Sequence, residues 1–157
     1  MLSVRIAQFP DDLEPVKKLF REYADSLDID LEFQDFETEL ASLPGKYASP
    51  EGCVLLAWHD GQAVGCIALR PIDSDTCEMK RLYVRPDRRS LQLGRKLVQQ
   101  LCDEARGMGY RKMCLDTIPS MASAVRLYQS FGFKPIAPYI FNPLEGAMFL
   151  GLDLTVA

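Results

Sequence analysis

Four arginines, a proline and a glycine crowd the stretch RPDRRSLQLGR, Arg85 to Arg95, and the KLVQQL that follows turns amphipathic. A turn-forming basic segment that feeds a helix start could hold an anion. The first N–H groups of a helix have no partner in the helix, and they carry partial positive charge. A phosphate placed there accepts their hydrogen bonds. Arg88, Arg89 and Arg95 would add fixed charge, and Gly94 would let the backbone come close to a ligand. The stretch is neither G-x-x-x-x-G-K-[ST] nor G-x-G-x-x-G. A solvated turn explains the same residues, and both readings stand at this level.

Other reactive groups are few. His59 is the only histidine, and it adjoins Asp60-Gly61, a strong turn pair. It reads as part of a surface turn, and Trp58 beside it as strand packing. The five cysteines, Cys53, Cys66, Cys77, Cys102 and Cys114, are odd in number and scattered, with no C-x-x-C. They read as free buried thiols in a reducing cytoplasm, with no metal site.

The elements that must position these residues can be read from hydrophobic period. SVRIAQ alternates as a short strand. Leu13, Val16, Leu19, Phe20, Tyr23 and Leu27 recur at helical spacing. FQDFETELAS predicts a second, short helix stopped by Pro44-Gly45. GCVLLAWHDGQAVGCIALRPI predicts a hairpin about Asp60-Gly61. TCEMKRLYVRP predicts a strand ended by Pro86, followed by a loop over Arg85–Leu93. A helix follows from about Gly94 to Met108, with Leu97, Val98, Leu101 and Ala105 on its apolar face. YRKMCLDTI is another strand, PSMASAVRLYQSFGF a helix stopped by Gly132, and AMFLGLDL a last strand. The order predicts a mixed sheet of six or seven strands with helices on both faces.

Length and charge set bounds. The chain has 157 residues, the size of one ordinary domain, so 1–157 reads as a single unit. Its net charge is −4, which disfavours nucleic acid as a partner. MLSVRIAQFPDD lacks a signal peptide's apolar run. No apolar stretch approaches the roughly 20 residues that span a bilayer. No membrane partner is expected, and the location expected is cytoplasmic.

Three segments resemble one family in order and spacing. YVRPDRRSLQLGRKLV resembles the acyl-CoA loop of the GNAT superfamily of N-acetyltransferases, Arg/Gln-x-x-Gly-x-Gly/Ala, with Gln92 in place of the first glycine. AVRLYQSFGF resembles the family's A-x-x-L-Y-x-x-x-G-F. CEMKRLYVRP resembles its fourth strand, acid included. The resemblance implies an α/β fold with a mostly antiparallel sheet whose fourth and fifth strands splay apart. It also implies acetyl-CoA as co-substrate. The pantetheine arm would run along Leu82, Tyr83 and Val84, bonded to backbone groups of Leu82 and Val84 as an added strand is. The pyrophosphate would sit on amides of Arg89, Ser90, Leu91, Gln92, Leu93, Gly94 and Arg95. Gln92 must then take a backbone shape that non-glycine residues resist.

The implied reaction is direct attack of a primary amine on the thioester. Glu78 stands where several members carry their base, against the plainer reading of a strand glutamate on a solvated face or one paired with Lys80 or Arg111. Tyr128 aligns with the tyrosine that protonates the leaving sulfur, against a plain core tyrosine. Met121 replaces an asparagine that contacts the cofactor in many relatives. Tyr23, Phe33, Phe36, Tyr139, Phe141 and Asn142 are candidate acceptor contacts. The acids from Asp28 to Glu39 either attract a cationic amine or form a solvated face. The acceptor expected is a small amine or an amino-acid-like molecule, with a protein N-terminus or lysine as the alternative. A non-catalytic acyl-CoA-binding module and a plain interaction domain are the other readings. The superfamily also allows a homodimer.

Overall fold

Asp60 and Gly61 both take positive φ, 51° and 82°. That is the primed turn whose twist matches two right-twisted strands, and it folds β2 (Cys53–His59) back on β3 (Gln62–Pro71). The computed structural model of the chain describes residues 2–27, 31 and 35–156. β1 (Leu2–Ile6) pairs with β2, and β4 (Thr76–Val84) pairs with β3, each antiparallel. β5 (Lys112–Thr117) pairs with β4 in parallel. β7 (Met148–Asp153) and the two-residue β6 (Lys134–Pro135) complete seven strands in the order β1-β2-β3-β4-β5-β7-β6. The sheet is thus mostly antiparallel, with one parallel pair at β4–β5.

Helices cover both faces. α1 (Leu13–Ser26) and α2 (Phe36–Ser42) bury Val16, Leu19, Phe20, Phe36 and Leu40 against Val54, Leu56, Cys66 and Ala68. α3 (Leu93–Gly107) buries Leu93, Leu97, Val98, Leu101, Cys102 and Ala105 against Leu55, Ile67 and Leu69. α4 (Ala122–Ser130) packs Leu127 and Tyr128 on this second core. Both sides of the central strands are covered. VLLA of β2 is therefore a continuous apolar run rather than an alternation.

Two boundaries differ from the sequence reading. The expected loop before α3 is instead a 3-10 helix, Pro86–Leu91. Pro86 presets φ at its first position, and its missing N–H would have had no partner there. α4 starts at Ala122, after Pro119-Ser120, rather than at the proline. Among the described residues, no helix is long and apolar enough to cross a membrane.

Candidate active site

β4 and β5 pair only at Thr76–Lys112, Cys77–Met113 and Glu78–Cys114. Beyond these three pairs β5 continues against β7 as far as Thr117–Met148. β4 leaves it. The cause is a bulge: Arg81 has φ 64°, and the β3–β4 register slips between Cys66 and Ala68. An extra residue on one strand bends it and sharpens its twist. A left-handed non-glycine residue costs on the order of 1–3 kcal/mol and persists only where its surroundings hold it. The Arg81 guanidinium makes a two-point bond to Glu39, at 2.9 Å to each oxygen, and stacks 5.2 Å over Phe36 and 5.7 Å over Tyr23. Arg81 is only 3% exposed.

The strands therefore open a cavity. Met79, Lys80, Arg81 and Leu82 line one side, and Leu115, Asp116, Thr117 and Ile118 the other. Tyr23 of α1, Tyr128 of α4 and Asn142 also line it. Tyr128 is 6% exposed, tilts against Phe133 at 5.8 Å, and its hydroxyl makes no hydrogen bond among the described residues. Burial pushes its ionisation well above the ordinary phenol value, so it stays a proton donor.

Arg85 N–H donates to the Val64 carbonyl, which turns Val84's backbone groups the other way, toward the opening. The Val84 carbonyl accepts from Arg89 Nε at 3.0 Å. Of the two residues expected to hold the arm, Leu82 lies on the cavity, while Val84's carbonyl is already engaged.

The start of α3 adjoins this opening. Gln92 takes φ 58°, the left-handed shape a glycine would supply, and it makes no side-chain cap. The first intrahelical donor is Lys96 N–H to the Gln92 carbonyl. Among the described residues, the N–H groups of Leu93, Gly94 and Arg95 are therefore open. That is a narrower cradle than the expected Arg89 to Arg95, because the 3-10 helix spends the earlier amides on its own bonds. A Cβ on Gly94 would meet Leu127 of α4 at 3.4 Å. Arg95 stacks on Phe131 at 5.4 Å, and Arg88 donates to His59 Nδ1 at 3.1 Å and pairs with Asp87. His59 is thus tied into the hairpin tip, away from the cavity.

Glu78 is 1% exposed, and neither oxygen is open. Arg70 Nε bonds Oε1 at 2.7 Å, Tyr139 Oη donates to Oε2 at 2.6 Å, and Lys80 Nζ stands 4.0 Å away. Glu78 does not line the cavity. The expected proton acceptor is therefore a clamped carboxylate whose partners are Arg70 and Tyr139, with Lys80 at the limit and Arg111 uninvolved. Tyr139 acts on Glu78 rather than on the cavity, and its own ionisation is pushed up by burial and by that carboxylate.

Of the expected acceptor contacts, Tyr23 and Asn142 line the cavity. Phe36 is buried beneath Arg81, and Phe141 is 72% exposed. Phe33, Asp28, Asp30 and Glu32 lie outside the described residues. Glu39 is paired with Arg81 and Glu37 with Arg21, so these two acids are not free for a cationic amine. Met121 lines the cavity and accepts the Thr117 hydroxyl through its sulfur at 3.8 Å.

Sequence reading passed over Lys80, Arg81 and Asp116. Asn142 Nδ2 donates to Asp116 Oδ2 at 3.0 Å. Lys80 is 7% exposed, and burial lowers its pKa from the ordinary lysine value. The one sequence signal was charge inside apolar strands, in MKRLYV and CLDTI.

The comparisons agree with this geometry. Residues 13–133 match the acetyltransferase (GNAT) family. The chain is 41% identical over 156 residues to an uncharacterized N-acetyltransferase of Schizosaccharomyces pombe, covering 98% of this chain and 96% of that one. An acetyltransferase structure from Streptococcus agalactiae superposes with a TM-score of 0.79 at 24% identity, covering 97% and 98% of the two chains. A Salmonella typhimurium acetyltransferase solved with acetyl-CoA superposes with a TM-score of 0.75 at 23% identity, covering 98% and 94%.

Proposed function

Because this chain belongs to the GNAT family of acetyl-CoA-dependent N-acetyltransferases, we propose that it moves an acetyl group from acetyl-CoA to the primary amine of a small, amino-acid-like acceptor in the cytoplasm. The observation that carries this reading is the opening of β4 from β5 beside the α3 start, with buried Tyr128 lining the cavity.

The residues present fit the donor. The amides of Leu93, Gly94 and Arg95 suit its pyrophosphate, and the free edge of β4 at Leu82 suits its amide-bearing arm. Arg89 must release the Val84 carbonyl if the arm is to bond there. Attack then forms a C–N bond at the thioester carbonyl carbon and breaks the C–S bond. Tyr128 gives its proton to the leaving sulfur and regains one from the attacking nitrogen. Glu78 positions rather than reacts: its engaged oxygens fix Arg70 and Tyr139 where β4 leaves β5.

Thiol release from acetyl-CoA over a panel of amines, amino acids, polyamines and short peptides tests the reading, with donor binding followed by calorimetry. Turnover on one small-molecule class is expected. Failure to bind acetyl-CoA would sink it.

A further inference from the structure

We propose that Lys80 and Asp116 together read a zwitterionic acceptor, an α-amino acid: Lys80 binds its carboxylate, and Asp116 binds its amine and takes its proton. This rests on the functional reading above and names the substrate class of that same site.

Lys80 is a buried cation short of partners. Its ammonium makes no hydrogen bond among the described residues, and the one carboxylate within ion-pair reach there, Glu78, stands at 4.0 Å. Glu78 is already bonded by Arg70 and Tyr139. Arg70 and Lys80 against Glu78 thus leave the Lys80 ammonium without a bonded carboxylate, with Asp116 across the cavity acting on it through space. A buried ammonium without hydrogen bonds is costly, and a ligand anion relieves the cost. The ligand's carboxylate would supply both the charge and the acceptors.

Asp116 is the opposite case. Asn142 holds Oδ2, while Oδ1 makes no hydrogen bond among the described residues. The partner that orients it is a neutral amide, so among the described residues no ion pair engages its charge. Lys80 and Asp116 line the same cavity from opposite strands, and Tyr128 lines it from α4. Tyr23 from α1, Arg81 of β4 and Tyr128 are the other ionisable groups lining it, and Arg81 is paired with Glu39. One held oxygen and one open oxygen is the arrangement of a positioned general base.

The proton count closes. An ammonium acceptor loses two protons on becoming an amide. One passes to Asp116 Oδ1 and on to solvent, and the other ends on the CoA sulfur through Tyr128.

The test compares amino acids with their methyl esters and their decarboxylated amines, at saturating acetyl-CoA. Wild type is expected to favour at least one free amino acid by about tenfold or more in kcat/KM, the scale of one charge-assisted hydrogen bond. Lys80→Met, with Lys80→Gln as a second variant, removes that preference through KM. Asp116→Asn lowers kcat about a hundredfold on every acceptor, the lower range of general-base catalysis, and formate restores turnover to Asp116→Ala. Thermal melts confirm that each variant folds. Equal rates on esters and decarboxylated amines in wild type, or a preference that survives both Lys80 variants, overturns the proposal. So does Asp116→Asn with undiminished kcat. Each of these outcomes is read with acetyl-CoA binding intact, whereas loss of donor binding by wild type overturns the functional reading itself.

Discussion

Tyr139 donates its hydroxyl to Glu78 across 2.6 Å, although the two lie 61 residues apart. The bond ties the segment between β6 and β7 to the last residue of β4 that still pairs with β5. Together with Arg70 on the other oxygen, it makes Glu78 the fixed point from which the strands separate. Removing one partner of a buried ion pair leaves an uncompensated charge and costs about 3–5 kcal/mol. Glu78→Gln is therefore expected to lower the unfolding free energy by about 3 kcal/mol, measured in urea. Its kcat, measured below the melting range, falls far less than that of Asp116→Asn. The reverse ranking would restore Glu78 as the base.

Tyr128→Phe removes the only hydroxyl α4 places in the cavity and leaves the ring on Phe133. General-acid contributions run at about 10²–10⁴-fold. A drop in kcat of at least about a hundredfold is expected, with acetyl-CoA affinity unchanged by calorimetry. Because burial raises its ionisation, the wild-type rate should show no fall from Tyr128 ionisation up to about pH 10.

Gln92 holds a shape that glycine takes freely. Gln92→Gly is expected to keep both the melting temperature and acetyl-CoA affinity, because relief of left-handed strain offsets the added freedom of the unfolded chain. Gln92→Val puts a branched Cβ in that shape and is expected to destabilise by more than about 1 kcal/mol, with weaker donor binding. Thermal melts and calorimetry on both variants check this. Equal behaviour of the two would mean that the cradle does not depend on this residue's φ.

All five cysteines are free and buried. Burial pushes the thiols up, Cys53 and Cys114 to about 12 and Cys102 to about 11. The folded state thus keeps protons that the unfolded chain releases near pH 8.5. The stability from this source is complete below that pH and is lost as pH rises toward the folded values. Each thiol adds a slope of about 1.4 kcal/mol per pH unit in that window. Urea unfolding at pH 8, 9 and 10 should show a falling free energy, with a shallower fall in Cys53→Ala. A flat profile would contradict thiol burial.

Local chemistry made much of this fold legible in advance. Asp60-Gly61 could only be a tight turn, and the period of α3 placed Leu97, Val98, Leu101 and Ala105 on one buried face. The start of α3 and the helix that carries Tyr128 were also readable, because each lies in a short motif whose residues are a few positions apart. The 3-10 turn of Pro86–Leu91 was not, since proline and arginine permit a loop equally well.

The sequence by itself determined which elements form and where α3 starts, because period, caps and turn residues act over a few positions. Only the tertiary structure decided which charges are spent. Glu78 meets Arg70 across β3–β4 and Tyr139 from the far end of the chain, Glu39 of α2 meets Arg81 of β4, and Lys80 and Asp116 are left facing one cavity. A carboxylate's role depends on its neighbours in space, and pairing at separations of 42 or 61 residues leaves no local trace.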